Sequence, residues 1–483
     1  MTIAENIEYL EGAQRKKRLG TSAYNATAML STATAVRAVA DFWRYGDTLT
    51  GTQNILAVAG ASLFRSTGGG AFTAITASSS FGTAGNSTTN ILIGGDFAVV
   101  SDGASRPMTY DQTTLGVVST GHPPFTGAAY HLRRMFMTGI STGPSQVRYT
   151  AAGAITSDST GVDSGTFQLS DGDGDQVVGV SKPFHKRLYF FKGPQFGSVH
   201  ELTGVTAATF ELSPITTGAP LLNHRAIVTT ANDVYWLSRH GIHSLTVTEK
   251  FGDTEQAFLS LPIQRTFRDD LLFSSLDQAW GFWHPRRNIV GWFVVPAGFT
   301  THLWALVYNY ALSNPEPGGR KFWAIWTYTA HALPSGAIIL TPAGTTQGRP
   351  RLYLGSTRGV LYRGDETTLS DNGVTAYTAR VRTPTITRLA EDVPETMEKS
   401  FFGITTYFAP KGSYSANLDI TIDRRDQAQT VSMAGSGALL DSFILDTDTL
   451  GGSEFQYAEN IIEDRGRSVI LNYSQGGADQ DME

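Results

Sequence analysis

The stretch that decides the fold is Val234-Tyr-Trp-Leu237, Ser238-Arg-His-Gly241, Ile242-His-Ser-Leu245, in which two apolar runs flank a short polar turn ending in glycine. The same unit returns as Leu352-Tyr-Leu354, Gly355-Ser-Thr-Arg-Gly359, Val360-Leu-Tyr362. Two runs rich in aromatic and β-branched residues, separated by a few polar residues that include glycine, predict a β-hairpin. We therefore expect the chain to be built from repeated hairpins.

Five further copies of this hairpin are spread along the chain, and starts of successive copies are roughly 40 to 65 residues apart, a spacing typical of one propeller blade with variable loops. Their strands are almost continuously apolar, as expected when both faces of a sheet are buried. The sequence thus predicts an all-β fold with a β-propeller of six or seven blades; a series of β-sandwiches is the alternative. The five copies lie at 55–64, 96–110, 135–149, 188–202 and around Trp292 and Trp304.

The regions on either side of the repeats set the predicted domain boundaries. Residues 1–50 are predicted to be a lead-in with the first strands, and residues 51–369 to be the propeller with its inserted loops. Thr383-Pro-Thr385 and Glu391-Asp-Val-Pro-Glu395 resemble a linker. Beyond it, Leu418, Ile420 and Ile422 alternate with polar residues, which indicates a strand with one buried face. Residues 370–483 are therefore predicted to form a β-sandwich-like domain.

One segment of the predicted propeller has helical spacing. Ser260 and Pro262 suit a first turn, and Ile263, Phe267 and Leu271 recur every four residues, so a short helix is predicted over 261–272. The helix is expected to pack on a propeller face. The side chains expected to point outward are Arg265 and Arg268.

Two features bear on the cellular compartment. Residues 288–315 contain no Asp, Glu, Lys or Arg, but Pro296 and Gly298 interrupt them, so two buried strands are predicted instead of a membrane span. The N-terminus is acidic and lacks an apolar run, which argues against a signal peptide. The absence of cysteine excludes disulfides and thiolate metal sites, and it indicates assembly in a reducing cytoplasm.

The sequence contains only weak candidates for catalytic or metal-binding residues. No phosphate loop, dinucleotide fingerprint, zinc-protease helix or nucleophile elbow occurs, so we predict no enzyme, no catalytic residue, no cofactor and no metal site. His240 and His243 lie three apart in a strand pair and are expected to face opposite sides. Asp171-Gly-Asp-Gly-Asp175 resembles half of a calcium loop without its later glutamate, so a solvated turn is favoured. Arg15-Lys-Lys-Arg18 is either a solvated segment or a patch for an acidic partner or nucleic acid.

The sequence resembles the propeller-type tail proteins of short-tailed bacteriophages, known as tail nozzle, tail hub or packaged-DNA stabilisation proteins. The first similar place is Ile7-Glu-Tyr-Leu-Glu-Gly12, leading to Arg15-Lys-Lys-Arg18 and Gly20-Thr21. The second is Asn232-Asp-Val-Tyr-Trp-Leu-Ser238 with Gly241-Ile242, followed by Phe251-Gly-Asp253 and the helix that carries Phe267-Arg268.

The resemblance implies a structural protein of the virion tail. It implies a ring of about six copies that contacts the portal, the adaptor and other tail proteins. DNA would pass through the lumen without specific binding, which suits the net charge of −6. Two long loops rich in Ser, Thr and Gly, at 68–86 and 156–175, are expected to become ordered on assembly.

Two alternatives from other functional classes remain open at this point. A receptor- or carbohydrate-binding propeller would expose its loops or aromatic side chains to a ligand. A polysaccharide-degrading propeller would need paired carboxylates at its central funnel, for which Asp233, Asp253 and Asp365 are the candidates.

Overall fold

The computed structural model describes residues 3–10, 14–30, 34–44, 52–68, 70–75, 81, 88–118, 121–156, 162–170, 172–246, 259–315, 319–328, 331–340, 349–364, 368–387, 394–409, 415–433 and 456–477. The chain divides into two compact units. The propeller unit comprises residues 22–321 and 331–364, and the terminal unit comprises residues 1–21, 322–330 and 365–483. The division therefore differs from the predicted boundaries, because the predicted lead-in 1–50 is shared between the two units.

Strands are numbered in chain order, and the first four are β1 (Ile3–Glu5), β2 (Ile7–Tyr9), β3 (Arg15–Lys17) and β4 (Thr21–Ala23). The next four sheets have four strands each: β5 (Val36–Arg44), β6 (Thr52–Ala59), β7 (Ser62–Ser66) and β8 (Thr73–Ile75); β9 (Asn90–Gly94), β10 (Phe97–Ser101), β11 (Met108–Tyr110) and β12 (Leu115–Val117); β13 (Gly127–His131), β14 (Arg134–Thr138), β15 (Gln146–Tyr149) and β16 (Gly165–Gln168); β17 (Gln176–Val180), β18 (Leu188–Gly193), β19 (Ser198–Thr203) and β20 (Glu211–Thr217). Three sheets follow in the propeller unit: β21 (Ile227–Thr229), β22 (Val234–Leu237) and β23 (Ile242–Ser244); β24 (Trp280–His284), β25 (Ile289–Val294) and β26 (Trp304–Asn309); β28 (Ser335–Leu340), β29 (Pro350–Gly355) and β30 (Leu361–Gly364).

These seven consecutive sheets are the blades of a β-propeller. First strands of successive blades contact one another, and β28 of the last blade contacts β5 of the first. Between blades four and five the contact is made by a 3-10 helix, His224–Ala226, which packs on β17. Strand β4 joins β30, and the Tyr24 N–H donates to the Leu361 carbonyl at 2.8 Å, so the start of the chain completes the last blade. The prediction of an all-β propeller with six or seven blades is confirmed.

The seven hairpins predicted from the sequence are the second and third strands of the seven blades. The two clearest copies pair as expected, with Trp236 opposite His243 in β22 and β23, and Leu354 opposite Tyr362 in β29 and β30. The other five pairs are β6 with β7, β10 with β11, β14 with β15, β18 with β19 and β25 with β26.

Neighbouring blades pack closely where a glycine faces an aromatic ring. A Cβ atom added at Gly336 in β28 would lie 2.4 Å from the Trp280 ring of the preceding blade, so only glycine fits there. The buried indoles also donate hydrogen bonds: Trp280 Nε1 to the Leu333 carbonyl and Trp292 Nε1 to the Ala226 carbonyl, both at 2.9 Å. Large aromatic side chains therefore fill the space between blades and also donate hydrogen bonds to backbone carbonyls there.

The helix predicted over 261–272 is broken into short pieces. A 3-10 helix, Leu261–Ile263, precedes a π-helix, Thr266–Asp270, and a second 3-10 helix follows at Phe273–Gln278. Ser260 provides no side-chain cap, because its hydroxyl accepts the Ile242 N–H, and Leu271 is already extended and bridges to Pro296. The predicted apolar face is nevertheless buried at Ile263, Phe267 and Leu271. The two arginines that are exposed as predicted are Arg265 and Arg268.

The uncharged segment 288–315 contains the two buried strands β25 and β26, as predicted. A further 3-10 helix, Pro285–Arg287, connects β24 with β25. Across the described ranges, no helix combines the length and apolarity needed to cross a membrane.

The strands of the terminal unit are β1 to β3 together with β27 (Phe322–Thr327), β31 (Ala379–Arg382), β32 (Lys399–Phe408), β33 (Ser415–Ile422), β34 (Arg425–Ser432), β35 (Gln456–Gly466) and β36 (Val469–Gln475). They form a sheet in the order β27-β1-β31-β36-β33-β34 and two-stranded sheets of β32 with β35 and of β2 with β3. Leu418, Ile420 and Ile422 on the first sheet are fully buried against Phe401 and Ile462 of the β32–β35 sheet, which confirms the predicted β-sandwich-like domain and its half-buried strand.

Candidate functional site

The basic run Arg15–Arg18 is partly a buried structural element. Lys17 and Arg18 have no exposed surface, although the sequence indicated a solvated or ligand-binding segment. Arg18 pairs with Asp371 at 2.6 and 3.0 Å, its Nε donates to Asn6 Oδ1 at 2.9 Å, and its guanidinium lies 3.7 Å from the Tyr377 ring centre. Because these contacts enclose the side chain, Arg18 is not available to a phosphate backbone.

Electrostatics keep Arg18 charged inside the terminal unit. Burial acts to lower its pKa, but the charge of Asp371 and the neighbouring Tyr328 and Tyr377 outweigh this effect, so the pKa of Arg18 is raised. A buried cation is tolerated when a carboxylate and hydrogen-bond acceptors surround it. Arg18 and Asp371 therefore form a structural ion pair, and the Tyr377 ring covers the guanidinium.

His240 and His243 lie in different surroundings. His240 is exposed, whereas His243 is fully buried and stacks on the Trp236 ring with centroids 5.2 Å apart. Over the ranges that the structure describes, no three His, Asp or Glu residues come together as a metal site.

Ser238 and His243 are in hydrogen-bond contact, as a nucleophile and its general base would be, but neither side chain is accessible to a substrate. Ser238 Oγ lies 2.7 Å from His243 Nε2, yet neither side chain has exposed surface. The same hydroxyl oxygen accepts the N–H groups of His240 and Gly241. Burial and the charge of His240 lower the pKa of His243 to about 3, which is too low for a base at neutral pH. The hydrogen bonds of this pair stabilise the turn between β22 and β23.

Buried neutral histidines are expected to make the protein less stable in acid. Burial lowers the folded-state pKa to about 4 for His224 and His302 and to about 3 for His243 and His284. At a pH below 6.5, the ordinary pKa of histidine, the unfolded chain binds more protons than the folded chain. The stability that these neutral histidines contribute is therefore fully present above pH 6.5 and is lost as the pH falls towards 3 to 4. Each such histidine adds a slope of up to about 1.4 kcal/mol per pH unit.

Urea denaturation between pH 7.5 and 5 measures this slope. His243→Gln is expected to reduce it by the contribution of one proton, whereas His240→Gln in the same hairpin, where the side chain is exposed, leaves it unchanged. An equal slope in the wild type and His243→Gln would contradict the assignment of His243 as a buried neutral group.

The carboxylates of the candidate calcium segment serve structural roles. Asp173 forms an ion pair with the buried Lys192. Asp175 accepts the backbone N–H groups of Gln195, Phe196 and Gly197 at 2.6–2.9 Å. The two carboxylates therefore connect this turn to residues 192–197, while Asp171 lies outside the described residues.

Of the three carboxylates that could converge for polysaccharide cleavage, the structure describes Asp233 alone. Asp233 is buried and accepts hydrogen bonds from Ser244 and Thr246, and burial raises its pKa. Asp253 and Asp365 lie outside the described residues. The terminal unit has a recess of about 320 Å³ that includes one carboxylate, Asp423, already bound to the Ser468 N–H and hydroxyl. Glycoside hydrolysis generally needs two carboxylates across the scissile bond.

The sequence reasoning missed an exposed apolar surface in the terminal unit. The exposed side chains on one face of the two-stranded β32–β35 sheet, each between 64 and 75% exposed, are Phe402, Tyr407, Tyr457 and Ile461. Tyr407 is directly opposite Tyr457 and Ile461 is opposite Gly403. We call these four side chains the aromatic face. Adjacent apolar residues at Phe401-Phe402 and Tyr407-Phe408 were the signal, because neighbours in a strand point to opposite faces.

The two-stranded β32–β35 sheet leaves one edge of β32 without a partner among the described residues. There β32 pairs only with β35, so no described strand lies along the outer edge of its ten residues, which we call its open edge. Monomeric proteins rarely combine a long free edge with clustered exposed aromatic side chains, because both promote association. The two loops predicted to become ordered on assembly both contain a strand of a blade, β8 within 68–86 and β16 within 156–175. The parts outside the described residues are 69, 76–80, 82–86, 157–161 and 171.

Comparisons with known proteins extend the description of the fold. No protein-family model and no curated protein matches the chain. Similar solved structures include a chain of a mitotic checkpoint complex (12% identity, TM-score 0.44, covering 72% of this chain and 93% of that one) and the Pan2 WD40 domain of Neurospora crassa (8%, 0.41, 72% and 94%). A quinoprotein alcohol dehydrogenase-like protein of Bacteroides thetaiotaomicron is also similar (11%, 0.34, 59% and 66%). Identity and TM-score are low throughout, so the chain is assigned to the β-propellers on its own blade topology and to no named family.

Proposed function

We propose that this protein is a structural component of the tail of a short-tailed bacteriophage, where copies of the chain form a ring around the DNA exit channel. The observation that carries the proposal is the aromatic face beside the open edge of β32, a surface suited to another copy of the chain. The sequence resemblance described above supplies the phage context. Location in the virion tail after assembly in the host cytoplasm belongs to the same proposal.

A ring follows from one repeated contact. If the aromatic face of each copy contacts a different surface of the next copy, identical heterologous contacts close into a ring when the rotation divides the circle, here into about six copies. The ring would contact the portal, the adaptor and other tail proteins. DNA would pass without specific binding, because the chain carries a net charge of −6 and part of its main basic run is buried.

A non-enzymatic role is part of the proposal. The Ser238–His243 pair is closed to substrate, and Asp233, the one candidate carboxylate that the structure describes, is buried and accepts hydrogen bonds from Ser244 and Thr246. A polysaccharide-degrading propeller is the competing function, and a receptor- or carbohydrate-binding propeller is the second. Incubation with bacterial surface polysaccharide is expected to release no fragments, and release of fragments would favour the enzyme.

Mutation of the aromatic face tests the proposed assembly. The double variant Tyr407→Asp/Tyr457→Asp is expected to weaken self-association by at least about tenfold, because buried tyrosines are common hot spots and two carboxylates would be desolvated in the contact. Sedimentation velocity measures the association, and electron microscopy of the wild-type protein shows whether the species are rings.

A matched control is Val374→Asp, which adds a charge at another exposed apolar side chain of the terminal unit, 76% exposed. It is expected to associate like the wild type. A wild-type protein that stays monomeric at about 100 µM, well above micromolar dissociation constants, would overturn the ring.

A further inference from the structure

Two neighbouring blades have the same tight turn between their first and second strands. Leu132-Arg133 connects β13 with β14 in blade three, and His185-Lys186 forms the tip of the loop between β17 and β18 in blade four. The φ angles are 49° and 59° in the first turn and 48° and 65° in the second, as in a type I′ turn. Asparagine and glycine are favoured in such turns, so a cationic residue at the second position of both turns points to a function.

The two turns lie on the same side of the propeller unit. Strand β14 returns to the start of β13, and the Gly139 N–H that follows it donates to the Val177 carbonyl at the start of β17 at 2.8 Å. Since β13 also packs against β17, the two first strands start side by side and run in the same direction. Burial lowers the pKa of His131, and the Lys186 backbone beside its imidazole acts in the opposite direction. The two turns are therefore neighbours.

The cations of these turns face solvent. Arg133 and Lys186 are exposed, and neither forms an ion pair with a described carboxylate, whereas the arginine that follows each of them does. Lys182 in the same loop and Arg286 in the corresponding turn of blade six are also exposed. Across the described turns between first and second strands, the exposed acidic residue is Asp96 of blade two. This side of the blades is thus basic, although the net charge of the chain is −6.

An exposed imidazole lies beside these cations. His185 stacks on the buried Phe184 ring, with centroids 4.0 Å apart and 20° between the planes. Phe184 and Arg187 exchange two backbone hydrogen bonds of 2.9 Å, which hold the tip of the loop in place. Because Phe184 covers one side of the imidazole and the residue is exposed, the other side can stack on a flat ligand. Cations beside an exposed ring suit an unpaired nucleotide, whereas an acidic peptide would use the cations alone.

We propose that the turns of blades three and four bind single-stranded nucleic acid, with Arg133, Lys182 and Lys186 on the phosphates and the His185 imidazole stacked on a base. The contact is independent of base sequence, because every base has a face that can stack. The charge of the exposed cations and the position of the imidazole support the proposal, and neither depends on the proposed assembly of copies.

Fluorescence anisotropy of a labelled oligothymidylate of about 12 nucleotides, titrated with the full chain, tests this site. Arg133→Asn/Lys186→Asn is expected to weaken binding by at least about tenfold. It is also expected to reduce the slope of log K against log salt concentration by about 1.4, because each phosphate contact with a single strand contributes about 0.7. Asparagine tolerates positive φ, so the variant is expected to unfold at the wild-type temperature or above.

A matched control removes two exposed arginines near the turn between the second and third strands of blade five, at the other end of the blades. This variant, Arg239→Gln/Arg265→Gln, is expected to bind like the wild type. Equal binding by the wild type and Arg133→Asn/Lys186→Asn, or no saturable binding by the wild type, overturns the proposal.

The role of the imidazole separates nucleic acid from other polyanions. His185→Asn keeps a residue that tolerates positive φ and is expected to weaken binding of oligothymidylate by about fivefold or more, the effect of losing one stacked base. Polyglutamate and duplex DNA of the same length are expected to bind the wild type at least about tenfold more weakly, because neither offers an unpaired base. Polyglutamate that binds as tightly as oligothymidylate would identify an acidic protein as the partner instead, and equally tight duplex binding would refute the stacked base.

Discussion

Replacing Arg18 by glutamine is expected to lower the free energy of unfolding of the terminal unit by about 3–5 kcal/mol, the usual cost of leaving one buried charge unpaired. The variant leaves the carboxylate of Asp371, which is 1% exposed, without its guanidinium partner. It also removes the hydrogen bonds from Arg18 to Asn6 Oδ1 and the Thr327 carbonyl. Urea denaturation followed by circular dichroism measures the loss.

Two further variants show whether the lost charge pair is the cause. Arg424→Gln, at an exposed arginine in the β33–β34 turn, is expected to change stability by less than about 0.5 kcal/mol. The double variant Arg18→Met/Asp371→Leu is expected to recover part of the loss, because apolar replacement of both partners leaves no buried charge. An Arg18→Gln protein as stable as the wild type would show that the ion pair contributes nothing.

The hairpins were predictable because their information is local. A strand, a glycine-containing turn and a second strand lie within about 15 residues, and turn chemistry sets their pairing. Closure of the terminal unit was not predictable in this way. Asn6 donates to the Thr378 carbonyl across a separation of 372 residues, and β1 pairs with β31. No local pattern in Ile3–Glu5 specifies such a distant partner.

The candidate sites were likewise hard to predict where they depend on residues far apart in the chain. The basic run was interpreted as a solvated segment or a patch for a partner, and the burial of Arg18 was missed. That burial depends on Asp371 and Tyr377, which are 353 and 359 residues away. The separation of His240 from His243 was predicted from strand periodicity, but the structure separates them because exposed His240 lies in the turn and buried His243 lies in β23. The aromatic face was missed because its exposure follows from which face of β32 packs on the neighbouring sheet.

Replacing Trp236 by alanine is expected to lower the free energy of unfolding of the propeller unit by about 3–5 kcal/mol, the range for removing a buried aromatic side chain. Trp236 has no exposed surface, and its Nε1 donates to the Ala219 carbonyl at 3.2 Å. Its ring stacks on His243 and lies 5.2 Å from Phe191 of blade four. The variant therefore leaves a cavity between two blades and exposes the His243 ring to it.

A graded series assigns this loss to packing or to the hydrogen bond. Trp236→Phe retains most of the apolar volume but leaves the Ala219 carbonyl without its donor, so a smaller loss of about 1–3 kcal/mol is expected. Phe196→Ala, at a side chain 68% exposed in the same unit, is expected to stay within about 0.5 kcal/mol of the wild type. Equal losses for Trp236→Ala and Trp236→Phe would assign the stabilisation to the indole N–H. Little loss of unfolding free energy in either variant would mean that the packing of blade four against blade five does not depend on Trp236. That result would contradict the stabilising role assigned to its buried ring.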